Sequence, residues 1–297
     1  MARKSQAEIA IIGGSGLYHM KGLQRVREVR IKTPFGAPSD RIVLGSLEGR
    51  RVAFLARHGR GHKISPTAIN YRANIYALKS LGVTQVFSIS AVGSMKETIM
   101  PGDLVLPDQF IDRTTQRSST FFEQGVVAHV SFAEPICTTL SSTLGKASQE
   151  VGSTVHRGGT YVCIEGPQFS TKAESKLYRQ WGVDIIGMTN IPEAKLAREA
   201  ELCYATLALV TDYDCWHETE EAVSVGAILE IMHQNVEVAQ HVLQASIRLA
   251  PETPQCSCQT ALEHALVTAP ESITASVKKR YQLFFARQWS KAQTTKG

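Results

Sequence analysis

The run Tyr204-Ala-Thr-Leu-Ala-Leu-Val210, followed at once by Thr211-Asp212-Tyr213-Asp214-Cys215-Trp216, decides the fold. Its apolar part has the length and composition of a buried strand, so the carboxylates of Asp212 and Asp214 emerge where that strand stops. Open α/β sheets place ligands outside the carboxyl ends of their strands. Alternation along an extended segment points Asp212 and Asp214 the same way. An isolated D-x-D also reads as a capped turn with solvated acids, so its meaning depends on what the rest of the chain brings to that end of the sheet.

Working outward, other predicted strands also end in polar chemistry. Residues 8–12 read as a short buried strand running into Gly13-Gly14-Ser15-Gly16-Leu17. Its glycines allow a tight turn and its backbone N–H groups suit an anion. His19 breaks the G-x-G-x-x-G pattern and no Gly-Lys-Ser/Thr follows, so neither standard nucleotide motif is present. Strands at 42–44 and 52–55 flank a Glu48-Gly49 turn, and the second leads into Ala56-Arg57-His58-Gly59-Arg60-Gly61-His62. Arg57 supplies a guanidinium fork suited to phosphate oxygens, and His58 an imidazole able to donate. A strand at 86–89 ends in Ser90-Ala91-Val92-Gly93-Ser94, where small side chains let a ligand lie against the backbone. A strand at 160–164 leads to Glu165-Gly166-Pro167-Gln168-Phe169-Ser170, and one at 183–186 to Gly187-Met188-Thr189-Asn190. Phe169 reads either as a core residue or as a stacking platform.

Between these strands, Ser65-Pro66 predicts a helix start, Pro135 another, Thr171 with Glu174 a capping box, and residues 192–203 and 227–249 two further helices. The polar stretch 112–122 reads as a mobile loop. The alternation predicts an α/β fold: a single domain with a mixed central sheet flanked by helices.

Composition agrees with a globular protein: 43% of the 297 residues are hydrophobic and 20% charged. No apolar run approaches the ~20 residues that span a bilayer, and the basic N-terminus lacks the apolar core of a secretory signal, so the cytoplasm is the default expectation. A net charge of +5 with scattered Lys and Arg is too diffuse for nucleic acid and fits a small anionic ligand better. The six cysteines show no C-x-x-C spacing and few neighbouring histidines, so no metal site is expected. Most read as reduced core thiols, with Cys256-Ser257-Cys258 either a redox pair or an exposed turn.

Four strand exits thus bring Ser15, Arg57 with His58, Ser90 with Ala91, and Thr189, all suited to one phosphate. The fifth brings acids, which repel that anion and suit a base carrying N–H donors. An anion site beside a heterocycle site is the arrangement expected for phosphorolysis of a nucleoside.

The ordered set 12–17, 56–60, Asn70-Tyr-Arg-Ala-Asn74, 90–94, Asp108-Gln-Phe-Ile-Asp-Arg113, 164–170, 187–189, Pro192-Glu193 and 211–214 resembles the 5′-methylthioadenosine phosphorylases. These belong to the purine nucleoside phosphorylases with a trimeric building block. The resemblance covers about residues 8 to 250 and implies a nucleoside phosphorylase fold over residues 1–260; beyond Cys258 it fades, and the amphipathic pattern at 271–290 makes 261–297 a helical extension, packed on its own domain or a subunit interface, or else a lid or partner-binding segment. It further implies phosphate contacts from Ser15, Arg57, His58, Ser90, Ala91 and Thr189. Met188 falls under the ribose, Phe169 on the purine, and Asp212 and Asp214 on the adenine edge. Val225 and Ile228 fall at the 5′-alkylthio pocket, Ser170 at a specificity position, and His62 and His129 near the pocket, the latter from a neighbouring subunit. Gln168 departs from the Arg common in the family. No cofactor is implied beyond phosphate as co-substrate; the partners implied are a small nucleoside and further copies of the chain, as trimer or hexamer.

The chemistry so implied has phosphate attacking as the purine leaves, with Asp212 as the proton donor to N7 if burial raises its pKa above the ordinary ~3.9. A 6-oxopurine or 5′-methylthioinosine phosphorylase, a phosphate-independent nucleosidase and a silent nucleoside-binding protein stand as alternatives. Substrate preference, phosphate dependence and turnover separate them.

Overall fold

A computed structural model describes residues 5–14, 17, 20–217 and 225–294, with residues 225–230, 232–234 and 290–294 described as helix only. From the N-terminus run β1 (Ile9–Gly13), β2 (Gln24–Val29), β3 (Ile42–Leu47), β4 (Arg50–Ala56), α1 (Tyr71–Ser80), β5 (Gln85–Ser94), β6 (Leu104–Leu106) and β7 (Gln109–Arg113). There follow α2 (Thr138–Val151), β8 (Val155–Arg157), β9 (Thr160–Ile164), α3 (Lys172–Gln180), β10 (Ile185–Gly187), α4 (Asn190–Glu199), β11 (Cys203–Asp212), α5 (Val225–Leu249) and α6 (Ala275–Thr294).

These strands join in one mixed sheet of order β2-β3-β4-β1-β5-β10-β9-β7, with β11 on β5 and β6, and β8 on β6. The sheet is organised by β5 and β11, which run parallel from Gln85 opposite Cys203 to Val92 opposite Val210. Both are buried nearly throughout, as expected for central strands covered on both faces. On its other edge β5 pairs with β1 only as far as Ser88, and with β10 only at Gly93 and Ser94. Residues 89–92 are therefore left without a strand on that side, and the sheet divides there. The ends of β1, β4, β5 and β10 converge on this division.

Local signals are met where the chemistry is local. Thr171 and Glu174 form the full capping box of α3. The expected start of the first helix at Ser65-Pro66 is corrected: α1 begins at Tyr71, and its N-cap is Asn70, whose side chain accepts from the Ala73 N–H at 3.0 Å. β2 and β8 were not foreseen, because β2 is an exposed edge and β8 spans only three residues.

The reading of 112–122 as a mobile loop is also corrected. Arg117, with a side chain only 1% exposed, donates to Glu165 and to the carbonyls of Met188 and Ile191, the last two at 2.7 Å. Phe121 and Phe122 are buried against α6.

The C-terminal segment shares the main core. Leu262, Ile273, Tyr281, Phe284 and Phe285 lie in the same apolar cluster as the central strands. The Phe284 ring sits 4.6 Å from Phe121, and Phe285 4.9 Å from Phe122. Among the described residues no helix is long and apolar enough to cross a membrane. Phe284→Ala should destabilise the fold by about 3–5 kcal/mol, the cost of emptying a buried aromatic site. Denaturant unfolding checks this, and an unchanged midpoint would mean that α6 contributes nothing to the core.

Candidate active site

At the sheet division the first group met is the guanidinium of Arg57, just beyond β4. It is almost fully buried and faces the equally buried Glu193 of α4. Nε donates to Glu193 Oε2 at 2.8 Å and Nη2 to Oε1 at 2.9 Å. Nη1 donates to the Ile89 carbonyl and Nη2 to Ser88 Oγ, while Ser88 and Tyr204 hydroxyls donate to Glu193 Oε1. Burial alone would lower the Arg57 pKa, but Glu193 reverses that and holds the guanidinium charged. The fork expected to grip phosphate is thus spent on a carboxylate. The four donated bonds leave one Nη1 hydrogen of Arg57 for a further acceptor.

His58 is corrected in a similar way. Its Nδ1 lies 2.8 Å from the Ile64 carbonyl and so must carry the proton. Burial is the main cause that lowers its pKa from 6.5 to about 4. The ring is therefore neutral, and Nε2 is an acceptor, suited to a protonated anion oxygen unless the anion itself recharges the ring. His62 is exposed and stacks on it at 4.1 Å.

Ser90 and Thr189 come together as the strand ends predicted, with Oγ and Oγ1 3.2 Å apart and both residues buried. Tyr161 OH lies 3.3 Å from Ser90 Oγ. Ala91 lies in the stretch of β5 that has β11 on one side and no strand on the other. Ser15 lies outside the described residues.

The acid pair closes the other side. Asp212 is the last residue of β11, opposite Gly93 across a register shift after Val210. The chain then turns, with Asp214 in the left-handed region at φ 54°. This turn, rather than strand alternation, brings the acids together: the Asp214 N–H donates to Asp212 Oδ1 at 2.8 Å. Thr211 Oγ1 donates to the other oxygen of Asp212 at 2.7 Å. Asp214 is buried and accepts from Ser175 Oγ. Burial is the largest cause raising its pKa, and the neighbouring Asp212 charge adds to it. The expectation that burial acts on Asp212 is corrected, since Asp212 is only half-buried. Gly93 is required here, because a Cβ would stand 2.8 Å from Asp212 Oδ1.

Beside the acids, Cys215 donates to the Ser170 carbonyl at 3.3 Å, and Ser170 Oγ is buried with no described protein partner. Phe169 is 46% exposed and is therefore not a core residue. Met188 is partly buried against the small apolar cluster that contains Val162, Ile164 and Ile186. Its Sδ would lie 2.5 Å from a Cβ at Gly166, whose φ of 65° also demands glycine. The hydroxyls of Ser90, Thr189 and Tyr161 thus stand on and beside β5, whose neighbour β11 ends in the acidic edge, with exposed Phe169 next in sequence to the Ser170 that Cys215 touches.

The family model of the phosphorylase superfamily matches residues 8–248. The chain is 59% identical to S-methyl-5′-thioadenosine phosphorylase of Geobacter sulfurreducens over 93% of its length and 96% of that relative. It is 55% identical to the Koribacter versatilis protein of the same name, covering 95% and 97%. A solved methylthioadenosine phosphorylase from an antarctic soil metagenomic library superposes with a TM-score of 0.91 at 55% identity, covering 95% of this chain and 99% of that one. The chain belongs to the phosphorylase superfamily.

In this superfamily member, several supporting residues escaped sequence reasoning. Glu193 was seen only as part of a Pro-Glu pair; Ser88, Ser175, Tyr161 and Tyr204 gave no signal, because they work through partners distant in the chain. Glu165 accepts from Thr115 N–H, Gln116 N–H, Thr67 Oγ1 and Arg117 Nε. Burial would raise its pKa, but these donors outweigh it and hold it at about 2. The described contacts of His129 tie its backbone to Ala265 and do not bring it to the acids. Val225 and Ile228 lie in the first turn of α5, and their side chains are outside the described residues.

Glu193→Gln should cost about 3–5 kcal/mol, because it strands the buried Arg57 charge. Equilibrium unfolding reads this, and a loss below 1 kcal/mol would show the pair to be dispensable. His58 supplies a second check. The unfolded chain protonates it near 6.5 and the folded chain only near 4, so stability falls as pH drops through that window. His58→Gln should therefore gain on wild type in thermal scans as pH is lowered from about 7 to about 5.

Proposed function

We propose that this chain catalyses the phosphorolysis of 5′-methylthioadenosine to adenine and 5-methylthioribose 1-phosphate, a pentosyl transfer serving purine and methionine salvage. The observation that carries this reading is the juxtaposition of the Ser90–Thr189 hydroxyl pair with the Asp212–Asp214 acid pair at the ends of adjoining strands. Relatives named for this activity over nearly the whole chain support it, as does a solved adenosine/methylthioadenosine phosphorylase variant from Schistosoma mansoni in complex with methylthioadenosine, 36% identical with a TM-score of 0.81.

In the reaction a phosphate oxygen forms a bond to C1′ as the C1′–N9 bond breaks, and that electron pair passes to the purine, which takes a proton at N7. Ser90, Thr189, the Ala91 backbone, His58 and Ser15 hold phosphate against the positive charge of Arg57. Fixing the nucleophile this way removes translational entropy from the barrier. Phe169 covers the purine face, Met188 supports the ribose, and Val225 and Ile228 line the 5′-alkylthio end. Ser170, with His62 beside His58, tunes selectivity.

Asp212 delivers the N7 proton. It is half-exposed in the free chain, and a purine laid over it displaces water from the carboxyl. Asp214, already pushed toward its neutral form, hydrogen-bonds the same base edge. The reading includes a cytoplasmic homotrimer or dimer of trimers, with exposed His129 available to a neighbouring subunit, and no cofactor beyond phosphate.

Adenine release from 5′-methylthioadenosine, followed with and without phosphate, tests this. Turnover should require phosphate, and Asp212→Asn should lose on the order of 10²–10⁴ in kcat/KM, the usual size of general-acid help. Equal release without phosphate would instead make the chain a hydrolase, and an unimpaired variant would remove Asp212 from the proton path.

A further inference from the structure

Cys137, Cys203, Cys256 and Cys258 come from three separate parts of the chain, yet their sulfurs all lie within 4.8 Å of one another. Cys137 is the N-cap of α2, Cys203 the first residue of β11, and Cys256 and Cys258 begin a short 3-10 turn at 257–260. Cys137, Cys203 and Cys258 are buried and Cys256 is half-buried, so Cys256-Ser257-Cys258 is not an exposed turn. The Sγ separations are 3.2 Å for Cys203–Cys256 and 3.8 Å for Cys137–Cys256. Both exceed the ~2.05 Å of a disulfide. Four thiolates held tetrahedrally at the usual Zn–S length of ~2.3 Å stand about 3.8 Å apart. The cluster brackets that spacing.

We propose that these four cysteines form a structural site for a thiophilic, tetrahedral divalent cation, Zn²⁺ in the first instance. On binding, each thiol releases its proton to solvent and forms one S–Zn bond; no electrons are transferred, so no oxidant is needed. The position of Cys137 at a helix N-terminus favours the thiolate.

The site is structural in purpose. Cys203 and Asp212 are the two ends of β11, ~30 Å apart at ~3.3 Å per residue, so the metal cannot touch the reacting atoms. It clips the start of the C-terminal segment to β11 and α2, where the Cys137 N–H already donates to the Tyr204 carbonyl at 2.8 Å.

The test is metal analysis of the full chain expressed with zinc and purified without chelators. Elemental analysis should find one zinc per chain, and cobalt reconstitution should give the sulfur-to-cobalt charge-transfer bands of a tetrahedral thiolate site. Zinc content should fall at least tenfold in Cys256→Ser/Cys258→Ser. After denaturation with chelator, all six cysteines should titrate. The cobalt spectrum is read on the wild type, so it stands even if the variant misfolds. Absence of both stoichiometric zinc and the cobalt bands would overturn the proposal. It would also fall if only Cys163 and Cys215 titrate, since the cluster would then be two disulfides.

Discussion

The Arg57–Glu193 pair is the constraint on which the arrangement around the site depends. It joins the end of β4 to α4, and through Ser88, Ile89 and Tyr204 it reaches β5 and β11. A buried ion pair is weak as a source of net stability, because desolvation offsets most of the attraction. Its value here is geometric. Its hydrogen bonds tie α4 to the end of β4 and to β5 and β11, which the sheet already pairs with each other. The pair sits where β5 loses its neighbour, and so it closes the gap that the division of the sheet opens. The Arg57 guanidinium, held by Ser88 and the Ile89 carbonyl, is fixed next in sequence to Ser90 without a mobile side chain having to be ordered.

The acid side works by a different constraint. β11 ends in a register shift and a left-handed turn, so Asp212 and Asp214 meet through a backbone N–H and not through a shared strand face. The close approach of Gly93 leaves no room for a side chain and brings the end of β5 against the carboxylates. Burial falls unequally on the two acids. Asp214 is stabilised toward its neutral form with Ser175 as its partner, and Asp212 remains available to solvent until a base covers it. Two chemically identical groups thereby acquire different exposure and different partners from their positions alone.

Order in the surrounding loops comes from buried charge and aromatic packing. Arg117 and Glu165 stitch the polar stretch after β7 to the loop after β9, while Phe121 and Phe122 hand that stretch on to α6. The C-terminal helix is in this way coupled to the loop whose Arg117 holds the Met188 carbonyl.

The sequence by itself determined the alternation of strands and helices, the capping box of α3, and the polar character of each strand exit. These follow from local periodicity and turn chemistry, which act over a few residues. It also brought forward Ser90, Thr189, Asp212 and Asp214, because small, hydroxylic or acidic residues directly after apolar runs stand out. Only the tertiary structure decided what those residues do to one another. Arg57 looks like an anion fork until Glu193, 136 residues away, occupies it. His58 looks like a donor until Ile64 takes its proton-bearing edge. The acid with the raised pKa is Asp214, and the four cysteines become neighbours only when α2, β11 and the segment after α5 are packed together. Charge, burial and hydrogen-bond partners are properties of distances in space, and those distances are set by the packing of the whole chain.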